Sequence, residues 1–451
     1  MKRPSHILIA IGTALSIAAA VFVISGKLDG LSNDGNASTT IALQSILLYW
    51  FLSTTSVLIV AKRKRYWKQY ILFLLSVVIC GVCLEIALRN FSPSLALREF
   101  QFLRSSQHHH VLMPDTHYHL GRFEGTDVTV QTNEDGLRSN HSRDEFLRFD
   151  RRIVCLGDSF TFGAWVQDEQ AYPQLLEALL NEEDKHLTTG VLNAGILSYS
   201  PLLEEQMLEH VAKHYKPHIV TLMLDCTDVG DDLHYSLEYD RQQPGGPFSG
   251  PYLTKPKPHF GALWRFAKPL HPSILAPFQL LDRLGNDHTP RDPFDYYKFR
   301  LNVGGQIETE RFFIYRYPLE LTGDYFDTTW DTINRIALRC NQLGAEFILF
   351  VSPRYHHWNI EECADNWEVF AYGLEEPYQY EIFKYFESKA NSAPFKIVNM
   401  LPAFQATHQF PLVFRSDPHW NPQGNRFVAR LLQNSLTKNP GFQSSGGEET
   451  P

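Results

Sequence analysis

Apolar and polar positions follow two different rhythms along this chain. Residues 7–24, 41–61 and 71–88 are near-continuous apolar runs. Each approaches or reaches the roughly 20 residues that cross a bilayer as a helix. The second run is the least pure, with Gln44, Ser45 and a Ser/Thr patch at 53–56; the third carries Glu85 near its end, where a charge is better tolerated than at the centre. From residue 151 the rhythm changes to short apolar runs alternating with helical periodicity. Strands are predicted at 153–156, 190–193, 218–224, 347–351 and 395–399, and helices at about 170–182, 202–215, 328–342, 376–389 and 422–435. Gly344 stands where one helix should end and Pro217 just after another. Strands alternating with helices imply crossover units and a mostly parallel five-stranded sheet covered on both faces, an α/β domain.

Other stretches break this rhythm. Residues 90–150 form a mixed lead-in, in which 127–133 alternates like a strand and Glu134-Asp135-Gly136 reads as a turn. Residues 236–327 are rich in Pro, Gly and aromatics with no regular period, an insertion long enough to carry function. Its Trp264, Phe266, Phe278, Tyr296 and Tyr297 favour an ordered cap over the sheet edge. Residues 437–451, with Ser444-Ser445-Gly446-Gly447, read as a disordered tail. The chain therefore divides into a three-helix membrane anchor (1–89), the lead-in (90–150), an α/β domain (151–436) and the tail.

Charge orients the anchor. Lys2 and Arg3 precede the first apolar run, and Lys62, Arg63, Lys64, Arg65 and Lys68 fill the loop between the second and third; the loop at 26–40 has only Lys27 against Asp29 and Asp34. The positive-inside rule puts the N-terminus and the basic loop in the cytoplasm and everything after residue 88 outside, on the periplasmic side in a bacterium. A cleaved first run would leave the large domain outside as well. The formal net charge of -9 argues against a nucleic-acid partner. Six scattered cysteines make neither a disulfide framework nor a zinc spacing, though a Cys340–Cys363 bridge stays open. The histidine tracts 108–110 and 117–119 have only Asp115 as an acidic neighbour and read as surface. No cofactor or metal is expected.

Chemistry gathers where predicted strands end. Ser159 follows the first strand at Gly157-Asp158, where glycine permits a sharp turn. Asn193-Ala194-Gly195 ends the second, Asp225-Cys226-Thr227-Asp228 the third, and Asp417-Pro418-His419 precedes the last helix. A hydroxyl needs a base to attack at neutral pH. His419 is the candidate base, and Asp417 can fix its tautomer.

The blocks Gly157-Asp158-Ser159, Asn193-Ala194-Gly195 and Asp417-Pro418-His419, in that order, resemble the SGNH (GDSL-type) hydrolase superfamily over about residues 150–436. The resemblance implies a flavodoxin-like three-layer α/β/α fold and serine esterase or acyl-transfer chemistry. It implies Ser159 as nucleophile, His419 as base, Asp417 as its orienting partner, and the Ser159 and Gly195 amides as oxyanion donors. Thr227 stands where the third block usually has the asparagine that completes the oxyanion hole. The one-residue gap between Asp417 and His419, followed by Trp420 and Asn421, also resembles the polysaccharide O-acetyltransferase branch. The leading expectation is a membrane-anchored esterase acting on carbohydrate or lipid acyl esters outside the cytoplasm. The alternatives are an O-acyltransferase for an envelope or secreted polysaccharide, which would need an acyl-donor partner in the membrane, and a non-catalytic carbohydrate-binding or envelope-assembly scaffold.

Overall fold

The computed structural model describes residues 98–100, 102–239, 300–363 and 376–437, with isolated positions between 75 and 79 and between 366 and 374. The three apolar runs (apart from residues 75, 76 and 79), most of the insertion and residues 438–451 lie outside the described residues. Among the described residues no helix is long and apolar enough to cross a membrane.

The lead-in supplies short strands β1 (Arg98–Glu99), β2 (Leu103–Ser105) and β3 (His109–Val111), then β4 (His117–Phe123), β5 (Thr126–Gln131) and helix α1 (Arg143–Phe146). β4 and β5 form an antiparallel hairpin with a register shift between His119 and Gly121. Sequence alternation finds β5. It misses β4, where the alternation of Tyr118 and Leu120 with two histidines is cut short by Gly121 and Arg122.

The α/β region runs β6 (Arg151–Gly157), α2 (Ser159–Phe162), α3 (Tyr172–Glu183), β7 (Thr189–Asn193), α4 (Pro201–Tyr215), β8 (Ile219–Leu224) and α5 (Asp228–Glu238). It resumes with β9 (Leu301–Val303), β10 (Gln306–Glu308), α6 (Leu319–Gln342), β11 (Glu346–Val351), α7 (Glu381–Ala390), β12 (Lys396–Asn399), α8 (Leu401–Ala406) and α9 (Pro422–Thr437). The five long-range strands pair in parallel in the order β12-β11-β8-β6-β7. Counted along the chain this is the 2-1-3-4-5 order of doubly wound, flavodoxin-like sheets. β8 is buried throughout, as expected of a central parallel strand, and β7 is buried too although it lies at the sheet edge, where α3 packs on it. α3 packs with α9, and α4 with α5 and α6, so helices clothe the sheet.

Two helices depart from the periodicity reading. α6 begins at Leu319 rather than near 328, and its first turns bury Thr322 and Phe326 beside Gly323, a composition that hides the helix. α5 is absent from the sequence reading because its inward stripe is polar: Asp228, Asp231, Asp232 and Tyr235 are all buried at helical spacing. Cys155, Cys226, Cys340 and Cys363 are all buried and free, so the Cys340–Cys363 bridge does not form.

One glycine decides the turn out of β6. Gly157 has φ +154°, and a Cβ there would lie 2.1 Å from Thr161 Oγ1 and 2.8 Å from Thr161 Cβ. We expect Gly157→Ala to cost at least about 2 kcal/mol of unfolding free energy, read from urea melts followed by circular dichroism.

Candidate active site

In a 2-1-3-4-5 sheet the chain reverses its direction of strand addition beside the first strand, and a crevice opens at the carboxyl ends there. Ser159 sits at that point. It opens the four-residue α2, capped by Asp158, whose Oδ1 accepts the Phe160 amide at 2.8 Å. Gly163 closes α2 in the left-handed conformation. As the first helical residue, Ser159 has an amide with no intrahelical acceptor.

His419 arrives from the other end of the region. Its Nε2 lies 2.7 Å from Ser159 Oγ, and its Nδ1 2.5 Å from Asp417 Oδ1. Nδ1–H donating to Asp417 leaves Nε2 to accept the Ser159 hydroxyl. Asp417 is fixed twice more: its Oδ1 accepts the His419 amide at 3.0 Å and its Oδ2 accepts the Trp165 indole N–H at 3.2 Å. The loop is clasped by an antiparallel bridge between Val413 and Trp420 and by Phe414 N–H donating to His419 O. Asn421 ties it further, donating to the Pro411 and Val413 carbonyls and capping the start of α9. The hairpin reaches this loop too: Phe123 stacks on Trp165 at 4.7 Å, and Glu124 Oε1 accepts the Arg415 amide at 2.9 Å.

Burial opposes charging His419, but the Asp417 charge and hydrogen bond outweigh it and raise its pKa above the ordinary 6.5. Burial would raise Asp417, yet the His419 charge and the bonds just described lower it. Asp417 is thus placed to orient the His419 ring, and Ser159, His419 and Asp417 have the hydroxyl–imidazole–carboxylate geometry that serine hydrolases use.

The two further oxyanion candidates are placed differently. The Gly195 amide donates to Asn193 Oδ1 at 3.1 Å. Gly195 is required for packing, since a Cβ there would lie 2.4 Å from the Phe162 backbone nitrogen. The Thr227 hydroxyl donates to Asp225 Oδ2 at 2.6 Å. Neither reaches out to a substrate as it stands, and of the three donors considered the Ser159 amide is the one left without an intrahelical acceptor.

Sequence reasoning missed Arg354, which follows β11. Its guanidinium bonds Asp225 from Nε at 3.0 Å and Nη2 at 2.7 Å, pairs Glu368 through Nη1, and lies over the Phe160 ring at 5.3 Å. It is the counter-ion for an acidic floor beneath the nucleophile. Burial would raise Asp225, but Arg354 pulls it well below the usual carboxylate range. Burial and the neighbouring Asp225 raise Asp158. Glu204, on α4, is wholly buried, and among the described residues neither carboxylate oxygen has a hydrogen-bond partner; burial followed by the charges of Asp158 and Asp232 raises it well above its ordinary value. Asp158, Asp225 and Asp228 bring carboxylate oxygens within 4.8 Å of one another. Arg354 already offsets the charge of Asp225, and burial raises Asp228 and Asp158 towards their neutral forms.

No family model and no curated protein matches the chain. Solved structures similar to it include the psychrotrophic esterase EstA from a Pseudoalteromonas species, at 12% identity and TM-score 0.33, covering 64% of this chain and 98% of that one. The acetyl xylan esterase AlAXEase is similar at 13% identity and TM-score 0.33, covering 63% and 99%. An acetylxylan esterase from Geobacillus stearothermophilus is similar at 15% identity and TM-score 0.32, covering 65% and 95%. The reading of function rests on the geometry above.

Glu204 makes that geometry testable. Its raised pKa means that the folded state keeps a proton the unfolded chain loses above the ordinary 4.5. The stability it contributes is present below that value and is lost as pH rises towards the folded value. Glu204→Gln mimics the protonated acid. We expect it to melt close to wild type near pH 5 and above wild type near pH 8. Parallel melting curves across that range would remove Glu204 as the source.

Proposed function

We propose that the protein is a serine esterase that cleaves acyl esters of carbohydrates or lipids through an acyl-enzyme, anchored in a membrane with its α/β region on the extracytoplasmic side. The observation that carries the enzymatic part is the unbroken relay from the Ser159 hydroxyl through the His419 ring to Asp417 at the carboxyl edge of the sheet. His419 removes the Ser159 proton as the oxygen attacks the ester carbonyl. The Ser159 amide, free of an intrahelical acceptor, receives charge developing on the carbonyl oxygen. The tetrahedral intermediate collapses, His419 returns the proton to the departing alkoxide, and water repeats the sequence in reverse to free the acid and Ser159. Asp417 holds the ring in the productive tautomer throughout, and Trp165 holds Asp417.

The anchor rests on the three apolar runs and their charge asymmetry. Limited proteolysis of intact spheroplasts tests it: the region after residue 88 should be cut from outside. Transfer of the acyl group to a sugar hydroxyl in place of water is the second reading, favoured by the Asp417-Pro418-His419-Trp420-Asn421 run. An acetyl ester supplied with and without an oligosaccharide separates the two, as acetylated sugar or as free acetate.

We expect Ser159→Ala to lower hydrolysis of p-nitrophenyl esters by at least about 10³-fold with an unchanged circular dichroism spectrum, and to abolish labelling by a fluorophosphonate. His419 acts as base only when neutral. In wild type kcat/KM should therefore rise with pH through an inflection above 6.5, and Asp417→Asn should move that inflection down. Full turnover by Ser159→Ala rejects the assignment.

A further inference from the structure

A second cluster of chemistry-bearing side chains lies on α4, away from Ser159. His210 and His214 are one turn apart, an i, i+4 pair on one helix face. Asp135, in the turn after β5, meets them: its Oδ1 is 3.1 Å from His210 Nε2, and one ligating atom from each of Asp135, His210 and His214 falls within 4.8 Å of the others. His108, in the β2–β3 turn, packs edge-on against His210 with ring centroids 5.8 Å apart, and its Nδ1 is buried with no hydrogen-bond partner among the described residues. The His210 and His214 centroids are 5.3 Å apart.

These spacings are those of a common ion. A ring nitrogen ligates Zn²⁺ at about 2.0–2.1 Å, which sets two ligating rings at a tetrahedral angle about 5.2 Å apart, centroid to centroid, and a nitrogen and a carboxylate oxygen about 3.3 Å apart. We propose that Asp135, His210 and His214, with His108 as the fourth donor, form a structural site for a zinc-type divalent cation.

The surroundings suit that role. Arg143 grips Asp135 through Nε at 2.6 Å and through Nη2, and the Tyr215 hydroxyl donates to its Oδ2 at 2.5 Å. Such outer partners orient a ligating carboxylate. Burial would raise Asp135, but those bonds hold it down at about 2, so it is ionised. Burial, then His210, lowers His108 to about 4; burial, then Arg143, lowers His214. Neutral imidazoles and an ionised carboxylate are the ligating forms. Binding replaces the His210 Nε2–H···Oδ1 contact with two metal bonds: the Nε2 proton leaves that nitrogen, and the neutral ring carries its single proton on Nδ1. Four protein donors leave no open position, which marks a structural rather than a hydrolytic ion. The ion would tie the β2–β3 turn and the β5 turn to α4, pinning the lead-in to the α/β region.

The test uses the full detergent-solubilised chain, stripped with chelator, dialysed against Zn²⁺ and analysed by plasma mass spectrometry. We expect one zinc per chain and a higher melting temperature with zinc than without. His210→Ala and His214→Ala should each weaken zinc binding by more than about 100-fold, beyond the loss typical of an outer partner, while His119→Ala, at the hairpin, keeps the full content. Cobalt(II) in place of zinc should give the intense visible bands of four-coordination, lost in His108→Ala. Zinc retained in full by His214→Ala, no zinc held by wild type, or a weak six-coordinate cobalt spectrum would each overturn the site. Should His210→Ala fail to fold, the half-buried His214→Ala decides.

Discussion

A charge taken out of water must find its opposite, and the region around Ser159 is organised by that constraint. Asp158, next to Ser159, and the carboxylates that interact with it electrostatically, Asp225, Asp228 and Glu204, are all buried. Arg354 meets Asp225 and Glu368 at once and is itself buried. The effective penalty for burying each such ion is several kcal/mol, and it is offset only by close, well-aligned pairing. Asp225 is so paired; Glu204 and Asp228 resolve the same problem by keeping a proton. The floor thus combines a guanidinium shared by two carboxylates with acids raised by burial, and the ring of Phe160 neighbours both that guanidinium and the His419 imidazole.

That balance explains what was legible in the sequence. The five parallel strands are nearly continuous apolar runs, so their places can be read directly, and the residues at their ends are the ones the sheet gathers. Ser159 falls into this class; His419 and Asp417 are legible instead as an Asp-Pro-His run just before the last helix, the residue types that a hydroxyl needs as base and orienting acid. α5 was not legible, since its buried stripe consists of aspartates where periodicity looks for leucine. Arg354 escaped for a related reason: a single arginine after a strand carries no pattern, and its partners come from distant segments. Thr227 was legible as a departure but not as a cause. Its hydroxyl is drawn to Asp225, part of the same charge network.

The lead-in contributes more than its composition implies. Phe123 and Glu124, at the tip of the β4–β5 hairpin, act on Trp165 and on the backbone at Arg415. Trp165 in turn donates to Asp417. The orienting acid is thereby held from two directions, by the imidazole it serves and by an indole braced from outside the sheet. Single side chains of this kind have no sequence signature, because their value lies in whom they touch after folding.

The four free, buried cysteines carry a consequence of their own. Burial raises the thiols of Cys155, Cys340 and Cys363 to about 12, and that of Cys226 well above its usual value. Thiolate is the reactive form towards oxidants, and these sulfurs are both protonated and shielded. The scaffold around Ser159 is thus held without covalent cross-links at these positions, by packing in which the sulfurs serve as small apolar groups.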